Sequence, residues 1–117
     1  MTIQDVRDHI LSLNPNITEN LFADHWLSWR IGGKWFALTE LDVEEPWISI
    51  KLPPQVGAQL RERYNAVRPA YHMNKKHWND LILHSLPDDF IKEHINQSFN
   101  IVFHTLPKAT QSLLNNG

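Results

Sequence analysis

A glycine pair, Gly32-Gly33, lies between two segments in which apolar and polar residues alternate, and this arrangement calls for a tight antiparallel hairpin. From Ala23 to Ile31 the alternation puts His25, Leu27, Trp29 and Ile31 on one face and Asp24, Trp26, Ser28 and Arg30 on the other. Glycine accepts the positive φ angles that a two-residue hairpin turn needs. Such a turn sets Ile31 opposite Lys34, Arg30 opposite Trp35, Trp29 opposite Phe36 and Leu27 opposite Leu38, so one face is apolar in both strands. The segment Trp47–Leu52 alternates again, with Ile48, Ile50 and Leu52 inward. Trp26, Trp35 and Trp47 are thereby expected on the opposite face.

Helical spacing frames these strands. Thr2 and Asp5 form a capping-box variant ahead of Ile3, Val6, Ile10 and Leu13, and Asn14-Pro15-Asn16 ends that helix, with a loop expected through Asn20. Pro53-Pro54 opens a second helix carrying Val56, Leu60 and Tyr64, ending near Asn65. Asp88 and Asp89 mark the start of a third, whose stripe is Ile91, Ile95, Phe99, Val102 and Leu106. Pro107 breaks it or begins a short last turn, and residues 115–117 are expected to fray. Between the second and third helices, Val67–Met73 and His77–Leu83 read as a hairpin turning at Asn74-Lys75-Lys76. The order α-β-β-β-α-β-β-α implies an α+β fold, an antiparallel sheet with helices packed mainly on one face.

A chain of 117 residues with 42% hydrophobic and 21% charged content is expected to form one domain over residues 1–117. There is no cysteine, hence neither a disulfide framework nor a thiolate nucleophile. No run approaches the roughly 20 apolar residues of a membrane helix, and Met1–Leu13 lacks a signal-peptide core, so a cytoplasmic address without membrane contact is expected. The net charge of −2 conceals segregation. Glu40, Asp42, Glu44 and Glu45 cluster in one segment, and Arg61, Arg63, Arg68, Lys75 and Lys76 in another, predicting an acidic and a basic pole.

The run Tyr71-His72-Met73-Asn74-Lys75-Lys76-His77-Trp78 resembles the MmcQ/YjbR family, together with Gly33-Lys34-Trp35-Phe36-Ala37-Leu38, Ser98-Phe99-Asn100-Ile101-Val102 and Leu106-Pro107-Lys108. The resemblance spans nearly the whole chain. It implies the two-layer sandwich likened to the frataxin-like CyaY proteins, and a DNA-binding role that for the family rests on structural analogy. One departure is Phe99, where the family pattern usually has tyrosine.

Two sets of residues carry the functional expectation, a small non-enzymatic binding protein. Lys75 and Lys76 at the hairpin tip, with Arg68, His72 and His77 nearby, suit contacts to DNA phosphates that would be weak and salt-sensitive. Arg30 opposite Trp35 adds a cation–π pair to a platform on which base stacking is typically worth about 1–3 kcal/mol. The alternative is a protein-interaction or chaperone-like adaptor, holding a partner segment or its own copy on Trp26, Trp35, Trp47 and Lys51. On a hairpin, His72 and His77 can face each other as a pH-sensitive pair. Neither a metal site nor a cofactor is expected, since the histidines lack ligand spacing. Ser98 and His94, one helical turn apart, are the nearest approach to a nucleophile and base, without a nucleophile elbow, and no catalytic residue is expected.

Overall fold

The computed structural model describes residues 1–115. The chain runs α1 (Ile3–Leu13), β1 (Thr18–Phe22), β2 (Trp26–Ile31), β3 (Lys34–Glu40), β4 (Trp47–Lys51), α2 (Pro54–Arg63), β5 (Val67–Pro69), β6 (Trp78–Ile82), α3 (Asp88–Phe103) and α4 (Lys108–Asn115). The strands form one antiparallel sheet in the order β1-β2-β3-β4-β6-β5, and the α+β class and element order follow the expectation, with β1 and α4 added. Fraying at Asn116 and Gly117 lies outside the described residues.

The helices cover one face. Val6 and Ile10 of α1 and Ile91, Ile95 and Val102 of α3 close over Trp29, Ile31, Phe36, Ile48, Ile50 and Leu81, and all of these are buried. Thr2 and Asp5 make the reciprocal capping box, with Asp5 N–H donating to Thr2 Oγ1 at 3.1 Å and Thr2 N–H to Asp5 Oδ2 at 2.9 Å. Gly57 lets α2 approach the sheet, since a Cβ there would stand 2.8 Å from Asn79 Nδ2. Arg61 of α2 then donates to Asn79 Oδ1.

The Gly32-Gly33 turn has φ of 58° and 80°, and pairs Ile31 with Lys34 and Arg30 with Trp35 as expected. Beyond that the register shifts: Trp29 pairs with Ala37, not Phe36, and Ser28, not Leu27, pairs with Leu38. A β-bulge at Phe36 puts one extra residue into β3. Phe36 and Ala37 both join the core, and Leu38 turns to the face without helices, where it lines a crevice with Trp26 and Trp35. The bulge has a dedicated partner. Ser98 Oγ of α3 donates to the Phe36 carbonyl at 2.6 Å and accepts from Lys51 N–H at 2.8 Å.

The expected loop through Asn20 is strand β1. Its Glu19 accepts from Trp29 Nε1 at 2.9 Å and from Arg7 Nε of α1 at 2.7 Å, tying the edge strand to sheet and helix. Residues 23–25 form the connecting turn rather than strand, with Ala23 and Asp24 at φ of 49° and 66°. At the other end, Pro107 begins a full helix. The Leu114 carbonyl accepts from Asn14 Nδ2 at 3.2 Å and Asn16 Nδ2 at 3.1 Å, which fixes α4 against the loop after α1.

Candidate functional site on the helix-free face

Alternation along β2, β3, β4 and β6 sends Trp26, Ser28, Arg30, Trp35, Leu38, Trp47, Ser49, Lys51 and Asp80 away from the helices. Trp26, Trp35 and Trp47 thus stand where alternation places them, and each is half-buried. The rings form a continuous array. Phe22 of β1 stacks at 5.8 Å on Trp35 and at 6.3 Å on Trp26, and Trp26 meets Trp47 edge-on at 6.0 Å. Arg30 Cζ lies 5.3 Å above the Trp35 ring, the expected cation–π contact.

The hairpin expected over 67–83 is much shorter. Ladder pairing covers only Val67–Pro69 against Asn79–Leu81, leaving residues 70–77 as a loop. Asn74 organises the turn, its Oδ1 accepting from Lys76 N–H at 2.9 Å and its carbonyl from Trp78 N–H at 2.9 Å. His72 and His77 therefore lie outside the ladder and do not form the expected cross-strand pair. His72 instead packs edge-on against Trp26 at 5.0 Å, so the loop roofs the aromatic face. Tyr71 is 77% exposed, with Lys75 Nζ 5.2 Å from its ring centroid, and Lys76 is exposed beside it.

Charges on this face are mixed rather than polar. Arg68 is 3.7 Å from Glu45, so the expected acidic and basic poles meet there. Arg61 is directed to the other side of the sheet, toward Asn79. Glu40 lies 3.4 Å from His25 at the rim.

Asp80 was not singled out by sequence reasoning. It sits on β6 between Ser49 of β4 and Arg68 of β5, and is only 8% exposed. Burial pushes its carboxyl up from 3.8 to about 6, opposed in part by the Ser49 hydroxyl and by the Arg68 and His72 charges. Ser49 favours the ionised form without meeting hydrogen-bond geometry: neither Ser49 Oγ nor Asp80 Oδ1 has a partner. The signal available in sequence was one carboxylate inside the apolar run Trp78–Leu83.

Four buried side-chain atoms among the described residues make no hydrogen bond: Arg30 Nε, Trp35 Nε1, Ser49 Oγ and Asp80 Oδ1. All four belong to residues directed to the helix-free face. Beneath the loop, Trp26, Trp47, Ser49, Tyr71, His72 and Asp80 enclose a closed seam, and beside it a crevice of about 120 Å³ opens between Phe22, Trp26, Trp35, Leu38, His72 and Met73. The wider depressions on the helical side are polar, and none of the unpartnered groups lines them. Ser98 is committed to Phe36 and Lys51, and His94 Nδ1 contacts the Phe90 carbonyl at 2.7 Å, so the two do not form a nucleophile–base pair.

The family model for YjbR matches residues 12–101. The chain belongs to the YjbR family. It is 33% identical over 97 residues to the uncharacterised protein YbdF of Escherichia coli O157:H7, a match covering 82% of this chain and 80% of that protein. To the uncharacterised protein YjbR of Escherichia coli K12 it is 29% identical over 117 residues, covering 97% and 98%. The crystal structure of the Deinococcus radiodurans protein DR2400 superposes with a TM-score of 0.89 at 28% identity, over 97% of this chain and 88% of that one. Phe99, where tyrosine was the family expectation, packs edge-on against Phe36 at 5.3 Å, next to the Ser98 contact at the bulge. Among the described residues no helix is long and apolar enough to cross a membrane.

Proposed function

We propose that this chain is a binding module that holds a segment of a partner protein on the helix-free face of its sheet. The observation that carries this reading is the coincidence, on one face, of the aromatic array and every buried side-chain atom that is left without a hydrogen bond among the described residues. Buried polar groups are otherwise partnered in folded proteins, and their concentration beside a crevice supports reading this face as a recognition surface. Mixed charge favours a polypeptide over a polyanion: Arg68 is engaged by Glu45, and Asp80 and Glu40 lie on the same face.

DNA binding is the second reading. It is supported by the exposed Tyr71 with Lys75 over its ring, by Lys76 beside them, and by Arg30 over Trp35. Capture of a peptide library by the intact protein, set beside titrations with single- and double-stranded DNA at two salt concentrations, separates the two. The protein reading expects peptide capture that Trp35→Ala weakens and Lys75→Ala with Lys76→Ala leaves alone. DNA binding that the double lysine variant weakens, with a shallower salt slope, would replace it. Self-association lost in Trp35→Ala would identify the occupant as a second copy.

A further inference from the structure

Two carboxylates among the described residues stand beside the aromatic rings of the helix-free face: Glu40, opposite Trp26 and 3.4 Å from His25, and Asp80, which is buried. The neighbours of Asp80 come from every element packed around it: Ser49 from β4, Arg68 from β5 and His72 from the 70–77 loop, with Lys51 and Glu45 farther out on the same side. Of the cations, Arg68 is drawn to Glu45 at 3.7 Å, and no side chain hydrogen-bonds Asp80 Oδ1. Trp26 and Trp47 meet at an interplanar angle of 62°, and Tyr71 and His72 close the remaining side. The electron-rich face of an indole attracts a cation, and on Trp26 the His72 ring now holds a position at 5.0 Å that a ligand cation would take over. Together with a carboxylate whose Oδ1 makes no hydrogen bond, this suits a positively charged group with an apolar stem.

We propose that the seam between Trp26, Trp47 and the 70–77 loop receives the guanidinium or ammonium end of an arginine or lysine side chain of the partner segment, with Asp80 as counter-ion. The stem of that side chain lies along the adjoining crevice lined by Phe22, Trp35, Leu38 and Met73, whose volume of about 120 Å³ suits an alkyl chain. The seam has no open water-sized space at present, so entry requires His72 to leave its edge-on contact with Trp26. His72 is thus the residue displaced by the ligand. The assignment rests on the proposed binding face and names the chemistry that face selects. A cation beside Asp80 stabilises the ionised carboxylate, so affinity rises as pH increases through about 6, where the buried carboxyl loses its proton. Arg68 and His72 face the same carboxyl.

The experiment titrates the intact protein with methylguanidinium and tetramethylammonium chlorides, with N-acetyl-arginine amide, and with tert-butanol as a neutral control. Tryptophan fluorescence and indole N–H resonances of Trp26 and Trp47 report binding. Saturable perturbation by the cations and by the arginine amide is expected, with a weaker response to the alcohol. Asp80→Asn is expected to weaken it about tenfold or more, as loss of a buried counter-ion does, and His72→Ala to strengthen it by removing the plug. Equal affinity in Asp80→Asn, an equal response to tert-butanol, or perturbation of indoles other than Trp26 and Trp47 would overturn the assignment. Binding of the small cations but not the arginine amide would overturn the partner side chain as their source. If peptides are captured through Trp35 yet Asp80→Asn captures them unchanged, the face stands and the cation seam falls. If cations bind and no peptide is captured, the partner segment is overturned as their source together with the proposed binding face.

Discussion

Replacing Asp80 by asparagine tests the electrostatic reading of the helix-free face without altering its shape. In the unfolded chain the carboxyl loses its proton near 3.8, and in the folded protein near about 6. Between those values only the folded state holds the proton, so raising the pH through this window lowers stability, and above it the effect is constant. That difference in pKa is worth about 3 kcal/mol. Asparagine has the same outline and no charge to desolvate. Asp80→Asn is therefore expected to match the parent protein below about pH 4 and to exceed its unfolding free energy by about 1–3 kcal/mol at pH 7.5, the lower end allowing for an amide left incompletely bonded. Urea denaturation of both proteins at closely spaced pH values from 3.5 to 8 measures the difference directly. Contributions from the other acids cancel in that difference. A gap that is independent of pH, or one that opens above pH 7, would refute the claim that burial of this carboxylate dominates.

Other substitutions probe other links. Ser98→Ala leaves the Phe36 carbonyl and the Lys51 N–H unpaired beneath α3, and is expected to cost about 2–4 kcal/mol in chemical denaturation, far more than an exposed serine would. Gly32→Ala forces a Cβ onto a residue at φ of 58° and within 2.7 Å of Leu106; a loss of about 2 kcal/mol is expected by thermal or chemical unfolding. Glu19→Gln keeps an acceptor for Trp29 but removes the charge that holds Arg7, so a loss under about 1 kcal/mol, erased by high salt, is expected from the same measurement.

The pair of glycines made the β2–β3 hairpin and its first two pairings legible in sequence, because few other residues accept both positive φ values. The bulge was not legible. Phe36, Ala37 and Leu38 are consecutive apolar residues, so alternation cannot show which of them is the extra one, and the answer depends on Ser98 arriving from α3 some 62 positions later. Strand β1 was hidden for a related reason. Its residues are Thr-Glu-Asn-Leu-Phe, and its turn takes positive φ at Ala23 and Asp24 without any glycine to announce it. The 70–77 loop read as strand because its aromatic residues favour extended structure, yet Pro69 and the Asn74 turn close the ladder early. The aromatic face was legible as a set of side chains. Its carboxylate was not, since an aspartate's burial depends on which loop folds across it.

The two faces of this sheet answer polar burial differently, and that contrast is the strongest argument for where function resides. On the helical face the buried polar side chains among the described residues have found partners: Ser98 holds two backbone groups, Trp29 reaches Glu19, Asn79 takes Arg61, and Thr39 donates to the Trp47 carbonyl. The same strands carry Arg30, Trp35, Ser49 and Asp80 on their other side with orphaned atoms. A chain able to satisfy one side so fully was not short of means on the other. Each orphaned buried atom costs about 1–3 kcal/mol, which a surface with no task would shed through single substitutions to apolar residues. A bound partner segment is one source of the missing partners. Under the proposed function, a segment that brought a donor to Asp80 and acceptors to Arg30 and Trp35 would recover that free energy on binding.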